Sequence, residues 1–129
     1  MRMRTAALAA TFLLAAGTAA LADDPMANTY GNTVTTKSHK TGATGTLYFD
    51  SNMSYTARGM DAKGGPVTYP GSWALKDGGG TICLTPHIPN ANPPPPTTCS
   101  PLQKHAVGDN WTTTNDVGET FDVSLSAGR

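Results

Sequence analysis

From residue 33 onward, apolar side chains recur at every second position in short runs. Within 45–50, Leu47 and Phe49 share one face, with Tyr48 and Asp50 opposite. Within 53–58, Met53, Tyr55 and Ala57 alternate with Ser54, Thr56 and Arg58. Across 67–76, Val67, Tyr69, Gly71, Trp73 and Leu75 keep one parity, and in 119–126 Phe121, Val123 and Leu125 alternate with Asp122, Ser124 and Ser126. A period of two is that of a strand with one face buried. Further strands are expected at 33–38, 81–85 and 106–113. No apolar stripe at i, i+3, i+4 follows residue 22, and the single glutamate, Glu119, reinforces the lack of helix signals.

Turn chemistry separates these runs. Asp50-Ser51-Asn52 fits a tight hairpin, and the stretches 61–65 (DAKGG) and 77–80 (DGGG) supply residues that tolerate positive φ. A further reversal is expected at 115–119 (NDVGE). The chain therefore reads as an all-β protein, a small antiparallel meander of about seven strands. A half-open barrel and a sandwich both satisfy the pattern; closure would remove exposed edges. Pro70 lies inside the fourth run, which points to a bulge or an edge position. The expected core takes Val34, Met53, Val67, Ile82, Leu84, Val107 and Trp111 together with the inward residues named above.

The first residues change the compartment. Arg2 and Arg4 precede an uncharged Ala- and Leu-rich run, and Ala20-Leu21-Ala22 forms an A-x-A cleavage pattern. Residues 1–22 read as a secretory signal peptide, with an apolar run too short for a membrane span. What remains, 23–129, is expected to be a single β domain. Removing Arg2 and Arg4 takes the nine basic residues to seven against nine acidic, a net charge of −2. With no basic patch, nucleic acid and anionic membrane are poor partners. No later stretch is apolar enough to span a bilayer, so the mature chain is expected to lack a transmembrane segment and to be periplasmic or secreted.

In that oxidising context the two cysteines, Cys83 and Cys99, are expected to pair. A closed loop of this size contributes roughly 3 kcal/mol in the chain-entropy model. Their spacing is not that of a thiolate metal pair, and no second pair exists. Trp73 and Leu75 face in, the turn reverses the chain, and Ile82 and Leu84 return on the same face, so Cys83 points outward. This G-x-W, turn, C-L-T-P unit (71–86) resembles a segment of small secreted proteins of Gram-negative bacteria that end, as here, in Ala127-Gly128-Arg129. The G-x-W element also resembles that of lipocalin-like barrels, where it lies on the first strand; here it lies mid-chain.

Chemistry-bearing residues are sparse. There is no G-x-S-x-G elbow, and paired cysteines offer no thiol nucleophile. The acids Asp50, Asp61, Asp77, Asp109 and Asp116 lie in turns; only Asp122, near Glu119, is strand-borne. No catalytic residue and no cofactor are assigned. His39, His87 and His105 lie on three separate connections, and the disulfide draws the ends of one long loop together, so His87 and His105 are the candidate ligands of a copper or zinc site. The loop 84–98 is stiffened by Pro93, Pro94, Pro95 and Pro96, which favour polyproline II. A closed, stiff loop loses little entropy on binding, which makes His87 and these four prolines the candidate partner-contacting residues. The Thr-rich rows (Thr33, Thr35; Thr112, Thr114) read as solvent-facing β surface.

The sequence thus points to a secreted, non-catalytic binding or structural protein of the cell envelope. The expected partner is a protein or an envelope component rather than a small molecule, because so small a core is expected to leave little room for a pocket. The alternatives are a protease-inhibitor-like protein using the 84–98 loop and a periplasmic metal-binding protein.

Overall fold

The structure, a computed structural model, describes residues 24–60 and 63–129. The proposed signal peptide lies outside the described residues. Eight strands follow one another: β1 (Thr33–Ser38), β2 (Thr44–Phe49), β3 (Ser54–Met60), β4 (Pro66–Lys76), β5 (Thr81–Pro86), β6 (Thr98–Pro101), β7 (Asn110–Thr114) and β8 (Thr120–Ser126). All pairings are antiparallel, and the spatial order is β6-β5-β4-β3-β2-β1-β8-β7. Because β1 pairs with both β2 and β8, a single sheet curls round until its two edge strands, β6 and β7, approach each other. The half-open barrel is the form adopted; among the described residues all strands belong to one sheet, which leaves no second layer for a sandwich.

The seam between β6 and β7 has no ladder, yet it is bridged. Asp116, in the β7–β8 turn, donates its N–H to the Cys99 carbonyl at 2.9 Å and accepts the Cys99 N–H on Oδ1 at 3.0 Å. One residue thus supplies both halves of a missing rung. The strand absent from the sequence reading is β6. Its four residues, Thr98–Pro101, carry no apolar alternation, and it is held by Cys83↔Cys99 pairing with β5.

Inward and outward faces follow the expected parity. Val34, Phe49, Tyr55, Ala57, Trp73, Val123 and Leu125 are buried inside the barrel, with Leu47, Tyr69, Leu75, Ile82, Leu84 and Phe121 packed against them. Three expected core residues are not there: Val67, half-buried on β4, stays outside the core cluster, and Met53 and Val107 are exposed. Met53 is 50% exposed because it is the left-handed third residue (φ 70°) of the β2–β3 loop rather than the first residue of a strand. Val107 is 47% exposed in the connection before β7, which starts at Asn110 rather than at 106. The deepest residue the pattern missed is Met26, 2% exposed, which enters from the N-terminal segment.

That segment, residues 24–32, closes one end of the barrel. Tyr30 packs its ring 6.2 Å from Trp73, and Asn28 donates from Nδ2 to the His105 carbonyl at 2.9 Å. Strand directions alternate, so the β2–β3 and β4–β5 turns and the 102–109 connection lie at this closed end. The β1–β2, β3–β4, β5–β6 and β7–β8 connections lie at the other. The C-terminus also returns to the closed end: Arg129 donates from Nη2 to the Phe49 carbonyl at 2.6 Å, pairs with Asp50 at 3.0 Å, and lies 5.5 Å from the centre of the Tyr48 ring.

Pro70 makes no bulge. Its carbonyl accepts the His87 N–H at 2.9 Å, at the point where the β4–β5 ladder ends, so the missing proline N–H removes only a last rung toward β5. The disulfide Cys83–Cys99 forms between directly opposed residues. By strand parity it sits outside, since Ile82 and Leu84 to either side of Cys83 line the interior.

Candidate functional site

The barrel is not filled. A cavity of about 290 Å³ occupies its lumen. One wall is apolar: Val34, Leu47 and Phe49 from β1 and β2, Tyr55 and Tyr69 from β3 and β4, and Ile82 and Leu84 from β5. The facing wall brings Trp111, Phe121 and Val123 from β7 and β8. Met26 and Thr29 form the floor at the closed end, and Pro86, Asn115 and Glu119 lie toward the other. The lumen overturns the expectation that the core leaves little room for a pocket. Near the seam the lining is small and polar at Thr98 and Ser100 on β6 and at Thr113 on β7, and Thr36 on β1 adds a further hydroxyl.

These four hydroxyl side chains make no hydrogen bond among the described residues, whereas outward threonines are committed. Thr85 bonds Thr97 at 2.8 Å, Thr114 bonds Thr120 at 2.9 Å, and Thr112 donates to Asp122 at 3.1 Å. Inward hydroxyls thus face the cavity with their bonding capacity free. His105, from the 102–109 connection, stacks flat on Trp111 with ring centres 3.5 Å apart and lies 3.6 Å from Asp109. The pair forms a planar aromatic edge to the cavity.

Burial raises the Tyr55 hydroxyl well above the ordinary tyrosine range, with Tyr69 beside it adding to the shift, and burial alone raises Tyr69. Both therefore remain neutral donors near neutral pH. Among the described residues, the one carboxylate on the lining is Glu119, whose Oε1 accepts Asn115 Nδ2 at 3.2 Å, and no lysine or arginine joins it there.

Of the candidates expected from the sequence, His105 lines the lumen and the others lie elsewhere. His87 is exposed on the outer face, where its Nε2 lies 3.0 Å from Ser72 Oγ. A Ser-His nucleophile is oriented by a carboxylate, and His87 has none beside it among the described residues. His105 faces the lumen instead, so the two proposed metal ligands have separate surroundings. Among the described residues, no group of three His, Cys, Asp or Glu side chains is placed to hold a metal ion. Pro93, Pro94 and Pro96 are exposed and Pro95 half-buried, in a stretch without regular secondary structure. A shallow hollow of about 420 Å³ lies over β1, β7 and β8, lined on its outer side by Thr35, Lys37, Thr112 and Asp122; it is the polar outer surface on which the threonine rows were expected.

The lumen hydroxyls were findable. Cys83 points outward by the parity of Ile82 and Leu84, so a partner directly opposite must point outward too, which turns Thr98 and Ser100 inward. Among the described residues no helix is long and apolar enough to cross a membrane. Compared with family models, curated proteins and solved structures, the chain matches none of them.

Proposed function

We propose that this chain is a non-catalytic, extracytoplasmic binding protein that takes a small, mainly apolar molecule into the barrel lumen. The observation that carries the reading is the cavity of about 290 Å³, walled by aromatic and aliphatic side chains with a few uncommitted hydroxyls. Small-molecule sites are concave, mostly apolar and equipped with few polar groups, and run upward from about 300 Å³. A cavity of this size suits a ligand of roughly a dozen or so non-hydrogen atoms. The signal-peptide pattern at 1–22 and the disulfide support an oxidising location outside the cytoplasm.

The test is titration with N-phenyl-1-naphthylamine, a neutral apolar dye whose fluorescence rises on leaving water. Saturable one-to-one binding with loss of tryptophan emission is expected, and Leu84→Trp, which fills the lumen, should abolish it while the β circular-dichroism signal stays. Absence of saturable binding, or binding indifferent to Leu84→Trp, overturns the reading.

The 84–98 loop supports a second reading, as a contact surface of the protease-inhibitor kind. Its ends are tied by Cys83–Cys99, and Pro93, Pro94 and Pro96 are exposed. Inhibition of a panel of secreted proteases, lost when the four prolines are replaced by Gly and Ser, would support it; no inhibition by the native protein removes it.

A further inference from the structure

The lumen has a polar end with a definite chemical bias. Thr36, Thr98 and Thr113 bring unpartnered hydroxyls toward it from β1, β6 and β7, and Glu119 adds the lining's one full charge. Asn115 occupies one Glu119 oxygen at 3.2 Å, and the other has no partner among the described residues. No lysine or arginine among the described residues lines the lumen beside it. Asp116, in the same turn, is a second acid and is held by the Cys99 N–H. His39, on the adjoining β1–β2 turn, is engaged with Asp122 on the outer face at 2.8 Å. Lys37 follows Thr36 in β1 and is turned outward, where it is exposed. A group entering here meets hydroxyl oxygens, an amide and a carboxylate, and no lysine or arginine among the described lining residues.

Resting on the lumen reading, we infer that the ligand is an apolar molecule whose polar end is a hydrogen-bond donor, an amine before an alcohol, and that carboxylate- and phosphate-headed lipids are rejected. An ammonium group donates to Glu119 and to the threonine oxygens at once. A carboxylate placed at the same point repels Glu119 and has only hydroxyl donors to satisfy it. The difference between attraction and repulsion of unit charges at contact is on the order of 1 kcal/mol each way in water-like surroundings. Opposite head-group charges therefore differ by about twice that, a preference of about thirtyfold.

The test displaces bound N-phenyl-1-naphthylamine with octylammonium, octanol and octanoate, which share one chain and differ in the head group. The expected order is octylammonium, then octanol, then octanoate, with about thirtyfold between the first and last. Glu119→Gln, which can still accept from Asn115, should shrink that ratio toward one, and Glu119→Lys should invert it. Octanoate competing as well as octylammonium, or a ratio unmoved by Glu119→Lys, overturns the inference while leaving the lumen reading standing. So does a lumen that binds the dye yet releases it to none of the three. Failure of the dye itself to bind overturns the lumen reading and this inference with it.

Discussion

Trp73 donates its indole N–H to the Asp50 carbonyl at 3.1 Å and shares it with the Ser54 carbonyl at the same distance. The tryptophan of β4 thereby holds both ends of the β2–β3 hairpin, and its own N–H bonds the Met53 carbonyl at 3.0 Å between them. The side chain is 4% exposed, with its ring 6.3 Å from Phe49. Trp73→Phe keeps an aromatic body but removes the indole donor from two carbonyls, each left with one backbone partner, and leaves a void. It should cost about 2–4 kcal/mol, read by urea unfolding followed by circular dichroism. A loss below half a kcal/mol would mean the hairpin is held without the indole.

Gly71 sits under the Tyr55 ring. A Cβ added there would overlap the Tyr55 ring, which is buried against it. Gly71→Ala should therefore destabilise by about 1–3 kcal/mol through overpacking. The cause is checked by a double-mutant cycle: combined with Tyr55→Leu, the alanine should cost clearly less than it does alone.

Met53 adopts φ 70° at the loop position where a three-residue hairpin prefers glycine, and its side chain is half exposed. Met53→Gly exchanges a strained left-handed residue for one that adopts the region freely. A gain of about 1 kcal/mol is expected, visible as a raised Tm; a lowered Tm would show that the methionine side chain contributes packing here.

The Cys83–Cys99 bridge lies outside the lumen wall and closes the loop that separates β5 from β6. Native protein should show no free thiol. The Cys83→Ala, Cys99→Ala double variant should lose about 3 kcal/mol, the loop-closure entropy of a loop of this length. Its barrel should persist, since Ile82↔Ser100 and Leu84↔Thr98 pairing does not depend on the sulfurs.

Asp122 accepts hydrogen bonds from His39 and Thr112, and these hold its carboxyl below the usual aspartate range; Lys37 adds a smaller pull. A carboxyl depressed in the folded state contributes stability above its unfolded pKa, near 3.8, and loses it as pH falls through the folded value. Stability of the wild type should therefore decline more steeply below about pH 4 than that of Asp122→Asn. The two Tm profiles should differ in slope there and run parallel above it.

Much of the fold was legible because its information is local. Alternation set the faces of β2, β4 and β8, and the turn residues set the reversals at 50–52 and 77–80. Position 53 was misread because a methionine at the first apolar place of a run looks like a strand start; only the backbone shows it turning. Both β6 (TCSP) and β7 (NWTTT) are polar on two faces, or nearly so, and periodicity cannot say which side is inside. The lumen hides in those strands. Whether a barrel is packed or hollow depends on how far apart its walls stand, a property of closure and stagger that no run of residues carries. His105 was legible as a residue of interest, but its place beside Trp111 depends on how the 102–109 connection folds back across the closed end.

The most direct test of the account is a methyl-resolved carbon–proton NMR titration with the neutral dye. Binding in the lumen predicts shifts at the inward methyls of Val34, Leu47, Ile82 and Leu84. The exposed methyls of Ile88, Val107 and Val117 should stay in place. Shifts confined to Ile88, Val107 and Val117, with the inward methyls unmoved, would place the ligand on the outer surface and contradict a hollow, ligand-binding barrel.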